Sequence, residues 1–136
     1  DLAMQMAVDA EGASKVVTIE VTGAATRDDA RRLGMQVADS ALVRSAFHGA
    51  DPNWGRILGA LGVAGVPIDQ SQVNIRIEGV LVCSGGVSAD HDDDAVSRLM
   101  TGGFDIEIEV GDGEGAATIV TTDLTPDYVR FNSDRS

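Results

Sequence analysis

His91 has the most conspicuous chemical setting in this sequence, because it stands within the run Asp90-His-Asp-Asp-Asp94. Histidine and aspartate are common metal ligands, but consecutive residues cannot converge on one ion. Acidic residues at the start of a helix are also stabilised by the helix dipole. We therefore predict a capped helix here and no metal site. Asp112 and Glu114 likewise lack the ligand ladder of a calcium loop, and a solvated hairpin tip is expected there.

Cys83 is the only cysteine, so an internal disulfide cannot form. A thiol nucleophile would need a base such as His48, yet nothing in the local sequence places the two together. A buried structural cysteine is the better interpretation. This cysteine usage is typical of a reducing compartment, and we expect a cytoplasmic protein.

Arg56 and Glu11 are the charged residues whose functional interpretation is most open. Arg56 is the only basic residue on a segment that otherwise has a buried composition. A buried guanidinium needs a carboxylate or several carbonyls, so we predict an internal ion pair that ties its helix to a loop. Direct contact with a substrate carboxylate is the alternative. Glu11 lies in a loop, where a solvated side chain and a functional one are both open on the residues alone.

The acidic composition excludes two classes of partner. The 136 residues include 22 acidic and 10 basic ones, which gives a formal net charge of −12. Nucleic acids and anionic membranes attract clustered Lys and Arg, so neither is an expected partner. No apolar run approaches the roughly 20 residues that a membrane-spanning helix requires. The length suits one structural unit over residues 1–136.

Hydrophobic spacing in the first half predicts the elements that would position these side chains. Residues 15–21 alternate as a strand. Thr26 then offers an N-cap for an amphipathic helix. Residues 42–47 favour a short strand. Asp51-Pro52 is typical of a helix start, with Asp as N-cap and Pro at the first helical position. The helix over residues 52–64 has apolar residues on both faces, so we expect it to be buried nearly all round.

The second half continues this alternation. Residues 73–77 and 80–82 are predicted strands, and a capped helix is predicted from about residue 90 to 101. Residues 104–110 alternate as a strand with one wet face, and a glycine-rich turn would return the chain as a partner strand over 116–122. The elements together predict a mixed α/β (α+β) fold, with largely antiparallel sheets layered with helices.

Four short motifs carry a more specific signal. They occur in the order Asp9-Ala-Glu-Gly-Ala-Ser-Lys15, Val21-Thr-Gly-Ala-Ala25, Asp51-Pro-Asn-Trp-Gly-Arg56 and Thr122-Asp-Leu-Thr-Pro-Asp-Tyr-Val129 with Asn132-Ser133. In this order, over essentially the whole chain, they resemble the motifs of the ornithine acetyltransferase family, also called glutamate N-acetyltransferase. The third motif is quite specific by itself, and the set of four is strong.

The resemblance implies an enzyme of the cyclic arginine pathway, built as an αββα-type sandwich. Members of the family cut themselves into α and β chains, and the new N-terminal threonine of the β chain is the nucleophile. An acetyl group would pass from N-acetylornithine to glutamate through an acetyl-threonine intermediate, without a cofactor. Some members also take acetyl-coenzyme A as a co-substrate.

The resemblance also implies partners. This sequence is similar to the C-terminal part of such a β chain, and the nucleophilic threonine is expected upstream of Asp1. The α chain, which supplies the oxyanion hole, and the N-terminal part of the β chain would complete an α2β2 assembly. We expect no turnover from this chain alone.

Two substrate-binding positions of the family match this sequence. Glu11 would accept hydrogen bonds from the amino or amide N–H of the substrate, and Asn132 would offer both a donor and an acceptor. Ser136, four residues further, is near a family Ser or Thr that follows the asparagine by five residues. Residues expected to play structural or supporting roles behind these contacts are Lys15, Asn53 and Arg56.

Two other functional classes remain open. Amidases and aminopeptidases with an N-terminal nucleophile share the broad scaffold and would hydrolyse an amide instead of transferring the acyl group. Exclusion of water from the intermediate decides between these outcomes, and the sequence does not report it. A non-catalytic domain that binds an amino acid or assembles with a partner is the other class.

Overall fold

A six-stranded mixed sheet is the framework of residues 15–123, which are the part of the chain that this computed structural model describes. None of the helices in that part is long and apolar enough to cross a bilayer. The strands are β1 (Val16–Ala24), β2 (Asn74–Ile77), β3 (Val80–Ser84), β4 (Val87–Ser88), β5 (Phe104–Glu109) and β6 (Gly115–Thr122). The helices are α1 (Arg27–Asp39), α2 (Ala41–His48), α3 (Trp54–Gly62) and α4 (Asp93–Leu99), with a single 3-10 turn at Gln70–Gln72.

Strand β1 lies inside the sheet, whose order is β4-β3-β2-β5-β1-β6. It runs parallel to β5 and antiparallel to β6, and the other neighbours are antiparallel. The predicted mixed, largely antiparallel sheet is confirmed. The predicted hairpin of 104–110 with 116–122 is wrong, because β1 is inserted between these two strands. The glycine-rich turn does reverse the chain, as predicted. The two strands that flank it, however, each pair with β1, a segment from much earlier in the sequence.

One face of the sheet forms the hydrophobic core, and the opposite face is polar along β5. Val17, Ile19 and Val21 on β1 are fully buried beside the in-register Ile106 and Ile108 of β5. The intervening acidic residues of β5 are exposed, as the alternation predicts. Helix α1 packs on β1 and β6 and also contacts α3. The helices therefore cover the apolar face.

Helix α1 begins where the sequence predicts. The Thr26 hydroxyl accepts a hydrogen bond from the Asp29 N–H at 3.1 Å, which satisfies one of the free amides of the first turn. Leu33 and Val37 are fully buried on its inner face. The N-cap and the apolar stripe at helical spacing both favour the same helix, so local sequence rules are enough to predict it.

Residues 42–47, predicted as a strand, lie in helix α2 instead. The Ser40 side chain accepts from the Val43 N–H at 3.2 Å and caps the helix. Val43, Ala46 and Phe47 are buried at helical spacing. The apolar run is too short for its spacing to distinguish a helix from a strand. The Ser40 cap favours the helix.

Helix α3 begins later than predicted, because its N-cap is Asn53 and not Asp51. The Asp51 N–H bonds the Ala46 carbonyl at 2.8 Å, so Asp51 belongs to the turn that leaves α2. The predicted burial nearly all round is also wrong: Val63, just past the helix, is 71% exposed, and Gly55 and Gly59 are exposed on α3. Glycine adds little apolar area, so this side of the helix can remain uncovered.

Helix α4 is shorter than the predicted 90–101. Its N-cap is Asp92, whose carboxylate accepts from the Asp94 and Ala95 N–H groups at 3.0 and 3.2 Å. The predicted acid-capped start is therefore confirmed, two residues further along. Its last turn ends at Met100, which is fully buried.

Gly23, within the second motif, is required by close backbone approach at the far end of β1. Its φ is +80°, and a Cβ there would lie 2.2 Å from the carbonyl oxygen of Gly111. Gly79 has nearly the same φ, +81°, but a Cβ would meet nothing within 4 Å. Comparing substitutions at these two glycines therefore separates the cost of backbone strain from the cost of a steric clash.

Gly23→Ala is expected to cost about 2–5 kcal/mol of stability, the sum of left-handed strain and overpacking. Gly79→Ala is expected to cost only the strain, about 1–2 kcal/mol. Thermal melting of the two variants measures the difference directly. Equal melting temperatures would show that the Gly111 backbone yields without cost.

Candidate functional site

Lys15 is held at the start of β1 by both its backbone and its side chain. Its backbone N–H donates to Asp123 Oδ1 at 2.9 Å. Its ammonium Nζ donates to the carbonyls of Phe47 and His48, at 2.8 and 3.2 Å. These carbonyls are at the C-terminus of α2, where a cation is favoured by the helix dipole. The Lys15 side chain therefore joins the start of β1 to the end of α2.

Asp123 and His48 complete this arrangement, although the sequence analysis considered His48 only as a base for Cys83 and gave Asp123 no role of its own. The Asp123 side chain is only 1% exposed, and its Oδ2 lies 3.0 Å from His48 Nδ1. The imidazole itself is 62% exposed. We call Lys15, His48 and Asp123 the β1–β6 corner. The available signal was an aspartate directly after a buried strand, since a buried carboxylate requires hydrogen-bond partners.

The corner is fixed to the hydrophobic core through Phe47. The Phe47 ring packs edge-to-face against Phe104, with ring centroids 5.4 Å apart. Phe104 begins β5 and is in register with Val17 of β1. The Phe47 carbonyl that accepts a hydrogen bond from the Lys15 ammonium therefore belongs to a residue whose side chain is fixed by packing. The β1–β6 corner consequently has little freedom to shift.

Asn53 acts on the start of α3. Its Oδ1 accepts from the Arg56 N–H at 3.1 Å, and its Nδ2 donates to Asp51 Oδ2 at 3.4 Å. The amide thus caps α3 and links it to the preceding turn.

Arg56 has a different environment from the one expected. Its guanidinium is only partly buried, and Nη1 donates to the Leu42 carbonyl at 2.9 Å. Within residues 15–123 no carboxylate lies within ion-pair distance of it, so the predicted internal ion pair is wrong there. The exposed glycine side of α3 leaves the guanidinium accessible to solvent, which reduces its need for a counter-charge.

Asn53 and Arg56 line an open groove of about 540 Å³, and the β1–β6 corner lies elsewhere. Arg56 contacts Leu42 at the start of α2, whereas Lys15 contacts the end of that helix. Five to six residues of α2 separate these carbonyls, a distance of about 8–9 Å along the helix axis. The structure therefore does not bring all three supporting residues together. Other residues lining the groove are Gln36, Ser40, Leu42, Gly55, Gly59, Ala60 and Val63.

Glu11, Asn132 and Ser136 lie outside the described residues. The described residues nearest to them in the sequence are Lys15 and Asp123. Glu11 precedes Lys15 by four residues and Asn132 follows Asp123 by nine. The two segments that carry the predicted substrate contacts therefore depart from the two ends of one hydrogen bond.

The metal interpretation finds no support in residues 15–123. His91 Nδ1 lies 2.6 Å from the Ala89 carbonyl, and Nε2 lies 2.5 Å from Asp93 Oδ1. No group of three potential ligands converges within that part of the chain. The imidazole instead ties the loop to the first turn of α4.

Cys83 is fully buried on β3, as predicted, and burial raises the pKa of its thiol. A neutral, inaccessible thiol is a poor nucleophile. We expect an aromatic disulfide reagent at neutral pH to release no thiolate from the folded protein and to titrate this thiol after denaturation. Rapid reaction of Cys83 in the folded protein would contradict its structural role.

Comparison with known proteins gives a consistent result. The sequence model that defines the ArgJ family matches residues 1–136 of this chain. The arginine biosynthesis bifunctional proteins ArgJ of Thermobifida fusca and Mycobacterium tuberculosis are both 44% identical to this chain over 133 residues, which is 98% of it. This chain spans only 34% and 32% of their respective lengths. The crystal structure of ArgJ from Bacillus halodurans is 33% identical, with a TM-score of 0.85, over 92% of this chain and 60% of that one.

Proposed function

This chain belongs to the ArgJ family, and on that premise we propose that it forms the C-terminal part of the β chain of an ornithine acetyltransferase. The family match across all of residues 1–136 is the observation that carries the proposal. Its relatives are named as bifunctional enzymes of arginine biosynthesis. The similarity to the Bacillus halodurans structure supports the same assignment through the fold.

The proposed reaction moves an acetyl group from N-acetylornithine to glutamate. A threonine at the amino terminus of the β chain, in a segment outside this sequence, attacks the acetyl carbonyl and releases ornithine. The amine of glutamate then attacks the acetyl-threonine ester and restores the threonine. Splitting one transfer between two amines into two steps makes each easier and gives ping-pong kinetics.

This chain would contribute recognition and support. Glu11 would accept hydrogen bonds from the amino or amide N–H of the substrate, and Asn132 would offer a donor and an acceptor. Ser136 would add a hydroxyl from the tail. The contacts of Lys15 with α2, and of Asn53 with Arg56, support roles in positioning.

The remaining parts of the proposal concern assembly and setting. The α chain would supply the donors that stabilise the oxyanion. Two α and two β chains would form the enzyme, in the cytoplasm, without a metal or bound cofactor. Acetyl-coenzyme A would serve, if at all, as an alternative acetyl donor and not as a resident group.

The decisive experiment incubates the complete enzyme with N-acetylornithine and isotope-labelled glutamate. Labelled N-acetylglutamate with stoichiometric ornithine is expected. Free acetate would indicate an amidase, and no product would indicate a non-catalytic binding domain. A parallel reaction with acetyl-coenzyme A in place of N-acetylornithine identifies the donor.

A further inference from the structure

We propose that the groove lined by Asn53 and Arg56 is a docking surface, which we call the α3 groove. Its occupant is an apolar segment with a carboxylate, from the part of the ArgJ polypeptide that this sequence does not span. The groove is formed by α1, α2 and α3 with the residues that cap them. The inference rests on the proposed function, since one part of an acetyltransferase must have surfaces that meet the other parts.

The rim of the α3 groove is apolar and open to solvent. Leu42 is 64% exposed and Val63 is 71% exposed, and they are two of the four large hydrophobic residues that are exposed within residues 15–123. Single exposed apolar side chains are normal on a protein surface. Two that line the same groove, of about 540 Å³, are typical of an interaction site.

Two glycines open the side of α3 that faces this groove. Gly55 and Gly59 are four residues apart, so they lie on the same side of the helix. A Cβ at Gly59 would meet nothing within 4 Å, so packing within residues 15–123 does not require glycine there. Glycine inside a helix is destabilising relative to most other residues. The open space at Gly59 fits a partner that approaches the backbone of α3 closely.

Arg56 defines the charge of the partner, because it is the only ionisable residue among those that line the groove. Its guanidinium makes one hydrogen bond within residues 15–123, to the Leu42 carbonyl, and has no carboxylate of that part within ion-pair distance. Guanidinium groups pair strongly with carboxylates. The complementary surface for this groove is therefore an apolar one that carries a carboxylate.

The other polar side chains favour a protein partner over a small polar ligand. The Ser40 hydroxyl accepts from the Val43 N–H, and Asn53 Oδ1 accepts from the Arg56 N–H, so both side chains already cap helices. A site for a small polar molecule needs several convergent polar groups that fix its orientation. Only Gln36 and Arg56 remain for that purpose among the lining residues.

Charge and chain length identify the source of the partner. A symmetric contact between two copies across the groove would bring two Arg56 side chains together, with no carboxylate in the lining to neutralise them. This chain spans only about a third of the length of the curated relatives that it matches. Most of such a polypeptide lies outside this sequence and needs surfaces on this chain to pack against.

The first test is Gly59→Leu in the complete enzyme, measured by thermal melting. Leucine is a much better helix former than glycine, and in an empty groove its side chain would extend into open space. An empty groove therefore predicts an equal or higher melting temperature. A docked partner predicts the opposite, a fall of about 4 °C or more, because the leucine side chain would collide with it.

Gly102→Leu is the matched control. Gly102 is exposed between α4 and β5, and a Cβ there likewise meets nothing within 4 Å. We expect this variant to melt within about 2 °C of the wild type, as surface substitutions usually do. An unchanged or raised melting temperature in Gly59→Leu, or an equal fall in both variants, would overturn the proposal.

The second test identifies the occupant by photo-cross-linking. A diazirine-bearing amino acid replaces Val63 in the complete enzyme, and illumination joins it to the groups in contact with it. We expect cross-linked peptides from outside residues 1–136, with Asp or Glu beside apolar residues. Cross-links only to residues 1–136, of the same chain or of a second copy, would overturn the proposal, and so would reaction with water alone.

Neither measurement depends on turnover, so the docking surface and the proposed function fail separately. Reaction of position 63 with water alone, in an enzyme that forms N-acetylglutamate, would contradict the docking surface and leave the proposed function intact. Failure of the wild-type enzyme to form N-acetylglutamate would contradict the proposed function instead.

Discussion

Removal of residues 132–136 from the complete enzyme is expected to lower kcat/KM by about 100-fold, or about 2.7 kcal/mol of transition-state binding. The segment contains Asn132 and two serines, whose amide and hydroxyl groups can both donate and accept hydrogen bonds with a small polar substrate. Its attachment point is firm, because Asp123 is buried and doubly hydrogen-bonded.

Stability and self-cleavage are expected to survive this deletion. The five residues are all polar, so they contribute little apolar area to the core. A loss of activity with an unchanged melting temperature would therefore report on the site and not on folding.

A shorter deletion serves as the matched control. Removing residues 133–136 keeps Asn132 and deletes Ser136, so the two truncations separate the amide from the tail. If Asn132 carries the contact, the shorter deletion should retain most of the activity. Near-normal turnover after the longer deletion would show that the tail is idle and would withdraw the role of Asn132.

Local signals in the sequence predicted the parts of the fold that local physics controls. The Thr26 cap and the alternation of β5 were read correctly, because each depends on neighbours within four residues. The strand predicted over 42–47 failed because a short apolar run has no clear period. The predicted 104–122 hairpin failed because no local rule reveals that β1 is inserted between β5 and β6.

The candidate site shows the same division. Lys15 and Asn53 were singled out within motifs, and the structure gives each a positioning contact. The bond between Lys15 and Asp123 spans 108 positions, so no spacing could suggest it. The environment of Arg56 was misjudged, because apolar composition predicts burial only where a neighbouring element covers the helix. The outer side of α3 is uncovered in residues 15–123.

Glu11→Gln in the complete enzyme is expected to raise KM for both N-acetylornithine and glutamate by about 10- to 150-fold. Both substrates share the nitrogen that Glu11 would bind, so both constants should move. Hydrogen bonds to a charged group contribute about 1.5–3 kcal/mol, and a neutral amide removes that charge without changing the size of the side chain. Steady-state kinetics with each substrate varied in turn measures the effect.

Glu114→Gln provides the matched control, because Glu114 is an exposed loop glutamate at the opposite end of β1. It undergoes the same chemical change and is expected to leave both KM values within about twofold of the wild type, as surface substitutions usually do. Comparable kinetics for the Glu11 and Glu114 variants, at equal melting temperatures, would assign Glu11 to solvent. A large rise confined to Glu11→Gln would instead connect the segment before Lys15 to substrate binding, because the negative charge would then be the property that the substrate nitrogen requires.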